Sequence, residues 1–278
     1  MIARITGAAL RGVLVALVVA IPALTLPGVS ADSAQMTVFM SIFAAFLIFL
    51  EYFSDSPSIM EFRNAAPVNR LRFLALLGMV LLLSLIGRGM AQPSGLTEAL
   101  TSIGTIVGSG LDFAFSPVRL AVLMLPAQAD GELAQTVRAA AGLSCLVSVV
   151  SVSAFLFLVR VMRWPKPGTS FNLWVNLPLF DATAGRDILH RLKRDARLNL
   201  ALGFLLPFVI PAVVKAVASL IDPFMLENPQ TLIWTMTAWA FFPTSMIMRG
   251  IAMQRIAKIA HDQRRRTFAT PEGELRVI

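Results

Sequence analysis

The chain has 278 residues, of which 56% are hydrophobic and only 14% are charged, and its mean hydropathy is +0.74. Soluble domains carry about 25% charged residues, so this composition excludes an ordinary soluble globular protein. It predicts an all-α, polytopic helical membrane protein with a single membrane domain over 1–278. The net charge of +8 is explained by the Lys and Arg that membrane proteins concentrate on their cytoplasmic side. No nucleic acid partner is expected, because no base-reading groups accompany the charge.

Six apolar segments approach the length of about 20 residues that a membrane-spanning helix requires. In chain order they are 12–29, 36–53, 73–90, 139–159, 198–220 and 231–248. We interpret 12–29 as an anchor that is retained. The alternative is a cleaved signal peptide, because Arg4 and Arg11 precede the apolar run and Val29-Ser30-Ala31 fits a small-residue cleavage site.

A further segment, 103–125, is a weaker candidate because it contains Asp112, Pro117 and Arg119. A charge near the bilayer centre costs about 2.5–3.5 kcal/mol on insertion scales. If this segment does not cross, 1–11, 51–72, 160–197 and 249–278 share one side and hold 20 of the 24 Lys and Arg residues. The positive-inside rule then places both termini in the cytoplasm. We expect 103–125 to be re-entrant or to lie on the outer surface.

The cytoplasmic loop 160–197 is the most polar part of the chain. Alternating apolar residues over 171–179 predict an extended strip, and the following basic segment predicts an amphipathic helix that lies on the membrane and then turns into the fifth span. Such a surface suits anionic lipid headgroups, as does the basic tail 249–278. It also suits a protein partner. The candidate contact residues are Asn172, Trp174, Asn176, Asp181, Arg186, Arg191 and Arg194.

The segment 51–72 predicts a short cytoplasmic helix that breaks at Pro67, since Ser58 and Glu61 have the spacing of a capping box. Two strings, EFRNAAPVNRLRF here and NLWVNLPLFDATAGRDILHRLKRDARLNLALGFLLPF later, resemble segments of uncharacterised inner-membrane proteins from alphaproteobacteria. The resemblance covers about the middle half of the chain. It implies a multi-pass protein of the bacterial inner membrane and no activity. The excess of Arg over Lys, 20 to 4, also favours a GC-rich bacterial source.

Motifs for chemistry are missing from the sequence. It contains no phosphate-binding loop, nucleophile elbow, zinc-protease motif or paired cysteines, so no catalytic, cofactor-binding or metal-binding residue is assigned. Lys215, Asp112 and Arg119 form a candidate intramembrane polar site, because ionisable groups at membrane depth are often functional. Lys215 either reaches the outer surface beside Asp222 or pairs with Asp112 or Glu227 in a polar vestibule. Gly104 and Gly108 form a GxxxG pair that predicts a packing seam.

A well-developed cytoplasmic face without recognisable chemistry favours a non-enzymatic accessory, scaffold or assembly protein. The first alternative is a small transporter or channel that uses Lys215 and a polar outer vestibule. Against it, the two halves of the chain show no convincing internal repeat. The second alternative, a lipid-modifying membrane enzyme, depends only on arginines near the interface.

Overall fold

A computed structural model describes residues 2–55, 58–63, 65–126, 129–165, 176–177, 188–221 and 225–269. Within these ranges the protein is built from α-helices and one 3₁₀ turn, and they contain no strand. The prediction of an all-α, polytopic membrane protein is confirmed. The helices are α1 Ile2–Thr25, α2 Ala31–Phe53, α3 Ala66–Ala91, α4 Gly95–Leu111, α5 Pro117–Val122, α6 Gly131–Arg160, α7 Ile188–Ile221 and α8 Pro229–Ala269, with the 3₁₀ turn Met225–Glu227 before α8.

Five helices are long and apolar enough to cross a membrane, namely α1, α2, α3, α6 and α7. The sixth predicted span, 231–248, lies within α8, which does not belong to this group. The reason is that α8 carries polar side chains which it buries against other helices. Thr237 and Thr244 are buried, and the Thr244 hydroxyl donates to the Ala240 carbonyl at 2.7 Å. A helix surrounded by protein can cross a bilayer without being apolar on every face, so α8 remains a predicted span.

The buried side chains form two cores at opposite ends of the bundle. One core contains Phe62, Phe155 and Met253 and lies at what we call the basic end, which comprises 58–65, the C-terminus of α6, the start of α7 and the second half of α8. The other contains Met79 and Ala140 and lies at the far end. The first half of α3 therefore packs near the last part of α6, and the two helices are antiparallel.

Because α3 and α6 are antiparallel, α3 ends and α6 begins at the far end. The segment between them therefore leaves this end and returns to it. The predicted segment 103–125 consists of the second half of α4, a break at 112–116 and the short helix α5. Ser116 caps α5 by accepting a hydrogen bond from the Arg119 N–H at 3.0 Å, and Pro117 occupies its first turn. A segment that leaves and re-enters at one end is what a re-entrant position requires. Its depth in the membrane stays a prediction.

The GxxxG pair of α4 packs against α6 of the same chain. A Cβ atom on Gly142 would lie 2.3 Å from the Gly104 carbonyl oxygen and 2.4 Å from the Gly108 nitrogen, and a Cβ on Gly108 would lie 2.3 Å from the Arg138 carbonyl oxygen. Only glycine permits such a close approach of two backbones. The seam is therefore an intramolecular helix contact.

The fifth predicted span and its basic extension form one helix. α7 runs from Ile188 to Ile221 without interruption, so the expected turn between a surface helix and the span is not found. Pro207 and Pro211 lie inside α7, and Pro211 has no N–H to donate to the Pro207 carbonyl four residues earlier. The indole N–H of Trp239 in α8 donates to that carbonyl at 3.0 Å. A neighbouring helix thus satisfies the backbone group that the proline leaves free.

We predict that Gly142→Ala lowers the thermal stability of the detergent-solubilised protein. The new methyl group would collide with backbone atoms of α4, and overpacking of this kind typically costs about 1–3 kcal/mol. The measurement is the midpoint of unfolding, followed by size-exclusion chromatography after heating.

Gly110→Ala is the matched control, because a Cβ atom at Gly110 meets nothing within 4 Å. Its midpoint should be unchanged or slightly higher, since alanine favours helix more than glycine does. Equal midpoints for both variants would contradict a tight α4–α6 seam.

Candidate functional site

The loop that follows α2 is fastened to the end of that helix by a carboxylate. Glu51 Oε1 accepts hydrogen bonds from the backbone N–H groups of Ser58, Ile59 and Met60 at 2.7–2.8 Å. Its second oxygen accepts from the Ser58 hydroxyl at 3.0 Å. Arg63 closes the same loop by donating to the carbonyl oxygens of Glu51 and Ser54. Residues 58–63 are consequently held as a fixed turn, and the short helix with a Ser58–Glu61 capping box is not formed.

The side chain of Glu61 has a different role from the predicted one. It forms a bidentate ion pair with Arg249 of α8, at 2.5 and 2.7 Å, and its side chain is only 8% exposed. Arg72, at the start of α3, interacts electrostatically with both partners and donates to the Ser245 carbonyl oxygen at 3.2 Å. Its guanidinium also lies over the ring of Phe62, 5.6 Å from the centroid. One carboxylate and two arginines thus connect the loop to α3 and α8.

Of the candidate contact residues, Asn172, Trp174, Asp181 and Arg186 lie outside the described residues. Asn176 is 5% exposed, and its carbonyl oxygen accepts a hydrogen bond from the Phe62 N–H at 2.6 Å. It therefore holds the loop in place from the inside of the basic end. Arg191 is half-buried, whereas Arg194 is exposed and lies 3.3 Å from Asp195. Among the described members of this set, Arg194 alone presents its side chain openly to a partner.

A basic groove opens between the start of α7 and the second half of α8. Its volume is about 450 Å³, and the residues that line it are all of polar or basic type: Lys193, Arg197, Gln254, Lys258 and His261. The two helices touch just beside it, since a Cβ atom on Gly250 would lie 2.9 Å from the Ala196 carbonyl oxygen. This close approach brings side chains from both helices to one opening. We refer to it below as the α7–α8 groove.

The far end contains a second ionic cluster. Asp112, whose side chain is 8% exposed, lies between two arginines: its Oδ2 accepts from Arg138 Nε at 2.7 Å, and its Oδ1 lies 2.7 Å from Arg119 Nε in an ion pair without hydrogen-bond geometry. Arg138 belongs to α6 and Arg119 to α5. The cluster therefore joins the break after α4 to both helices.

Lys215 extends from α7 to the same region. Its Nζ donates to the carbonyl oxygen of Leu123, directly after α5, at 2.8 Å. A cation at a helix C-terminus satisfies a free carbonyl and suits the negative end of the helix dipole. The three predicted intramembrane residues therefore all contact the segment around α5, but Asp112 pairs with arginines and Lys215 with a backbone oxygen. This geometry explains the three charges through packing.

A cleft between α3, α6 and α8 is lined by Gly87, Ala140 and Met236 among others, and its volume is about 30 Å³. That is room for about one water molecule. Within the described ranges, no three His, Cys, Asp or Glu side chains meet in a group that could hold a metal ion. The expectation that the protein uses no cofactor stays a prediction.

Comparison with known proteins adds no relative. No protein-family model matches the sequence, and neither the curated proteins nor the solved structures gave a significant match. The resemblance to alphaproteobacterial membrane proteins stays a prediction.

Sequence reasoning missed the functions of Glu51, Glu61 and Arg249. A signal was present, because Glu51 lies at the end of an apolar run and Glu61 lies in an otherwise basic region. A carboxylate in such a place needs a partner when it is buried. The partner itself lies 188 residues away along the chain, and no local pattern identifies it.

We predict that Glu61→Leu destabilises the protein by about 3–5 kcal/mol, because it leaves two arginines without their buried counter-charge. The double variant Glu61→Leu/Arg249→Leu should regain part of this loss, since apolar side chains replace the pair and one buried arginine, Arg72, is left in place of two. The measurement is a double-mutant cycle on the unfolding free energy.

The exposed pair of Arg4 and Asp55 provides the control, since the Asp55 side chain is 92% exposed. Asp55→Leu should have little effect, as expected for a solvated ion pair. A similarly small effect of Glu61→Leu would show that the buried pair does not hold the basic end together.

Proposed function

We propose that this protein is a non-enzymatic accessory protein of the bacterial inner membrane, with both termini in the cytoplasm, and that its basic end supports or assembles another protein. The observation that carries the proposal is the fixed loop 58–63. A connecting loop needs only to join two helices, yet this one is bonded to α2 through Glu51, to α8 through Glu61 and to Asn176 through Phe62.

The energetics of the Glu61–Arg249 pair point the same way. A buried ion pair seldom stabilises a fold more than well-packed apolar side chains would, but it does fix geometry, because breaking it is costly. A surface of fixed shape is what a specific partner requires. The positive-inside distribution of Lys and Arg supports a cytoplasmic position for this surface.

The transporter alternative has less support. Its motivation is the group of charges near the far end, and each of them has a structural partner. The cleft near the far end has a volume of about 30 Å³, which is room for about one water molecule.

The orientation can be tested with single cysteines. In a Cys145→Ser background, Asp55→Cys marks the basic end and Gln92→Cys marks the far end, both at exposed positions. We expect a membrane-impermeant maleimide to label Gln92→Cys in spheroplasts and Asp55→Cys only in inverted vesicles. Labelling of both positions from one side would contradict a crossing of the membrane by α3, and the reversed pattern would place the basic end outside.

The accessory role can be tested by purification in mild detergent followed by mass spectrometry of bound proteins. We expect a companion in stoichiometric amount that is lost from Arg194→Glu, because this variant reverses an exposed charge at the basic end. Arg88→Glu reverses an exposed charge at the far end and should retain the companion.

A homogeneous particle that carries only lipid would contradict the accessory role. Equal loss from both variants would show that the companion is held by general electrostatics and does not recognise the basic end.

A further inference from the structure

The α7–α8 groove brings three permanent cations to one opening. Lys193, Arg197 and Lys258 line it, and none of the acidic residues that the structure describes does. Over the part of the chain that the structure describes, these three side chains form no ion pair. Two acidic residues that are close to the groove in the sequence pair with other side chains: Asp195 lies 3.3 Å from Arg194, and Asp262 lies 3.7 Å from His261, which itself lines the groove.

Like charges brought together repel one another, and the repulsion is relieved when an anion binds between them. Three permanent cations around one opening match a ligand with at least two negative charges. The lining also defines its chemistry: the Arg197 guanidinium matches phosphate oxygens as a bidentate donor, and the lysine ammonium groups act as point charges beside it. The amide of Gln254 can donate to an ester or hydroxyl oxygen.

The distance of the groove from the hydrocarbon core indicates whether its phosphate ligand belongs to a lipid or is a soluble anion. If the spans end at 198 and 248 as predicted, then at about 1.5 Å per residue Arg197 lies about 2 Å and Gln254 about 9 Å beyond the hydrocarbon. The headgroup layer is about 5–8 Å thick on each side. Lys193 lies at about 8 Å and Lys258 at about 15 Å on the same basis. The groove thus begins at the level of lipid phosphates and continues outward.

The geometry points to a binding site for the headgroup of an anionic phospholipid that carries two phosphates, held between Arg197 and Lys193 on α7 and Lys258 on α8. One phosphate contacts Arg197, and the long side chains of Lys193 and Lys258 reach back toward the membrane to the other. This inference rests on the proposed membrane position but not on a protein partner. Separate experiments therefore test the lipid site and the accessory role, and one proposal can be refuted without the other.

The test is a titration of the full-length protein in neutral detergent, with binding followed by native mass spectrometry. The probes are diphosphatidylglycerol, phosphatidylglycerol and phosphatidylcholine, with pyrophosphate as a soluble competitor. We expect the lipid with two phosphates to bind most tightly. Combined Lys193→Ala, Arg197→Ala and Lys258→Ala should weaken it about 100-fold, at roughly fivefold for each basic residue.

The matched control removes Arg70, Arg160 and Arg163, which are exposed, lie at the same end and do not line the groove. It lowers the net charge by the same amount and should change the affinity less than about threefold if binding is local to the groove. Equal weakening in both triple variants would overturn the site in favour of a diffuse basic surface. An unchanged affinity in the groove variant would overturn it as well.

Two further results separate the alternatives. If pyrophosphate binds the groove with the same affinity as the lipid, the groove is a site for a soluble anion, and the lipid proposal is overturned. If the groove triple variant does not fold, Lys258→Glu against Arg160→Glu tests the same point with single charge reversals at exposed positions. Loss of binding only in Lys258→Glu supports the site, and equal effects of the two reversals overturn it.

Discussion

The ion pair between Glu61 and Arg249 determines how the basic end is built. It joins a loop after the second helix to the last helix, 188 residues away along the chain, and it does so beside a core that contains Phe62 and Met253. Phe62 has a positive φ of 56°, which is unfavourable for an aromatic residue. Such a conformation persists only where the surroundings specify it. The bond from the Phe62 N–H to Asn176 and the ion pair of the preceding Glu61 with Arg249 supply that constraint.

Helix packing in the rest of the bundle follows from two features of a chain in lipid. Backbones approach closely where glycine permits it, as at Gly142 against α4 and at Gly250 against α7. Backbone groups that prolines leave free must find partners within the protein, because the hydrocarbon offers none. Trp239 meets this need for Pro207. Polar groups on α8 are therefore part of its packing and explain why this helix is less apolar than the others.

Composition and run length were sufficient to predict the helical membrane fold, because a helix that crosses lipid needs a long apolar run that is visible locally. The same local signals failed where a side chain finds a distant partner. Ser58 and Glu61 have the spacing of a helix cap, but Glu51 bonds Ser58 and Arg249 bonds Glu61. The turn expected before the fifth span is missing because no residue between 188 and 198 interrupts a helix. Charge counting identified the basic end, but only the approach of α7 to α8 creates a groove there.

The ion pair and the groove occupy different faces of the same helix. Lys258 follows Arg249 by nine residues, which corresponds to a rotation of about 180° at 100° per residue. α8 therefore contacts the loop 58–63 with one face and lines the groove with the other. The contact of Gly250 with Ala196 sets the groove's width without involving Glu61. The shape of the basic end and the proposed binding of anions thus depend on separate contacts, so one can change through substitution while the other is preserved.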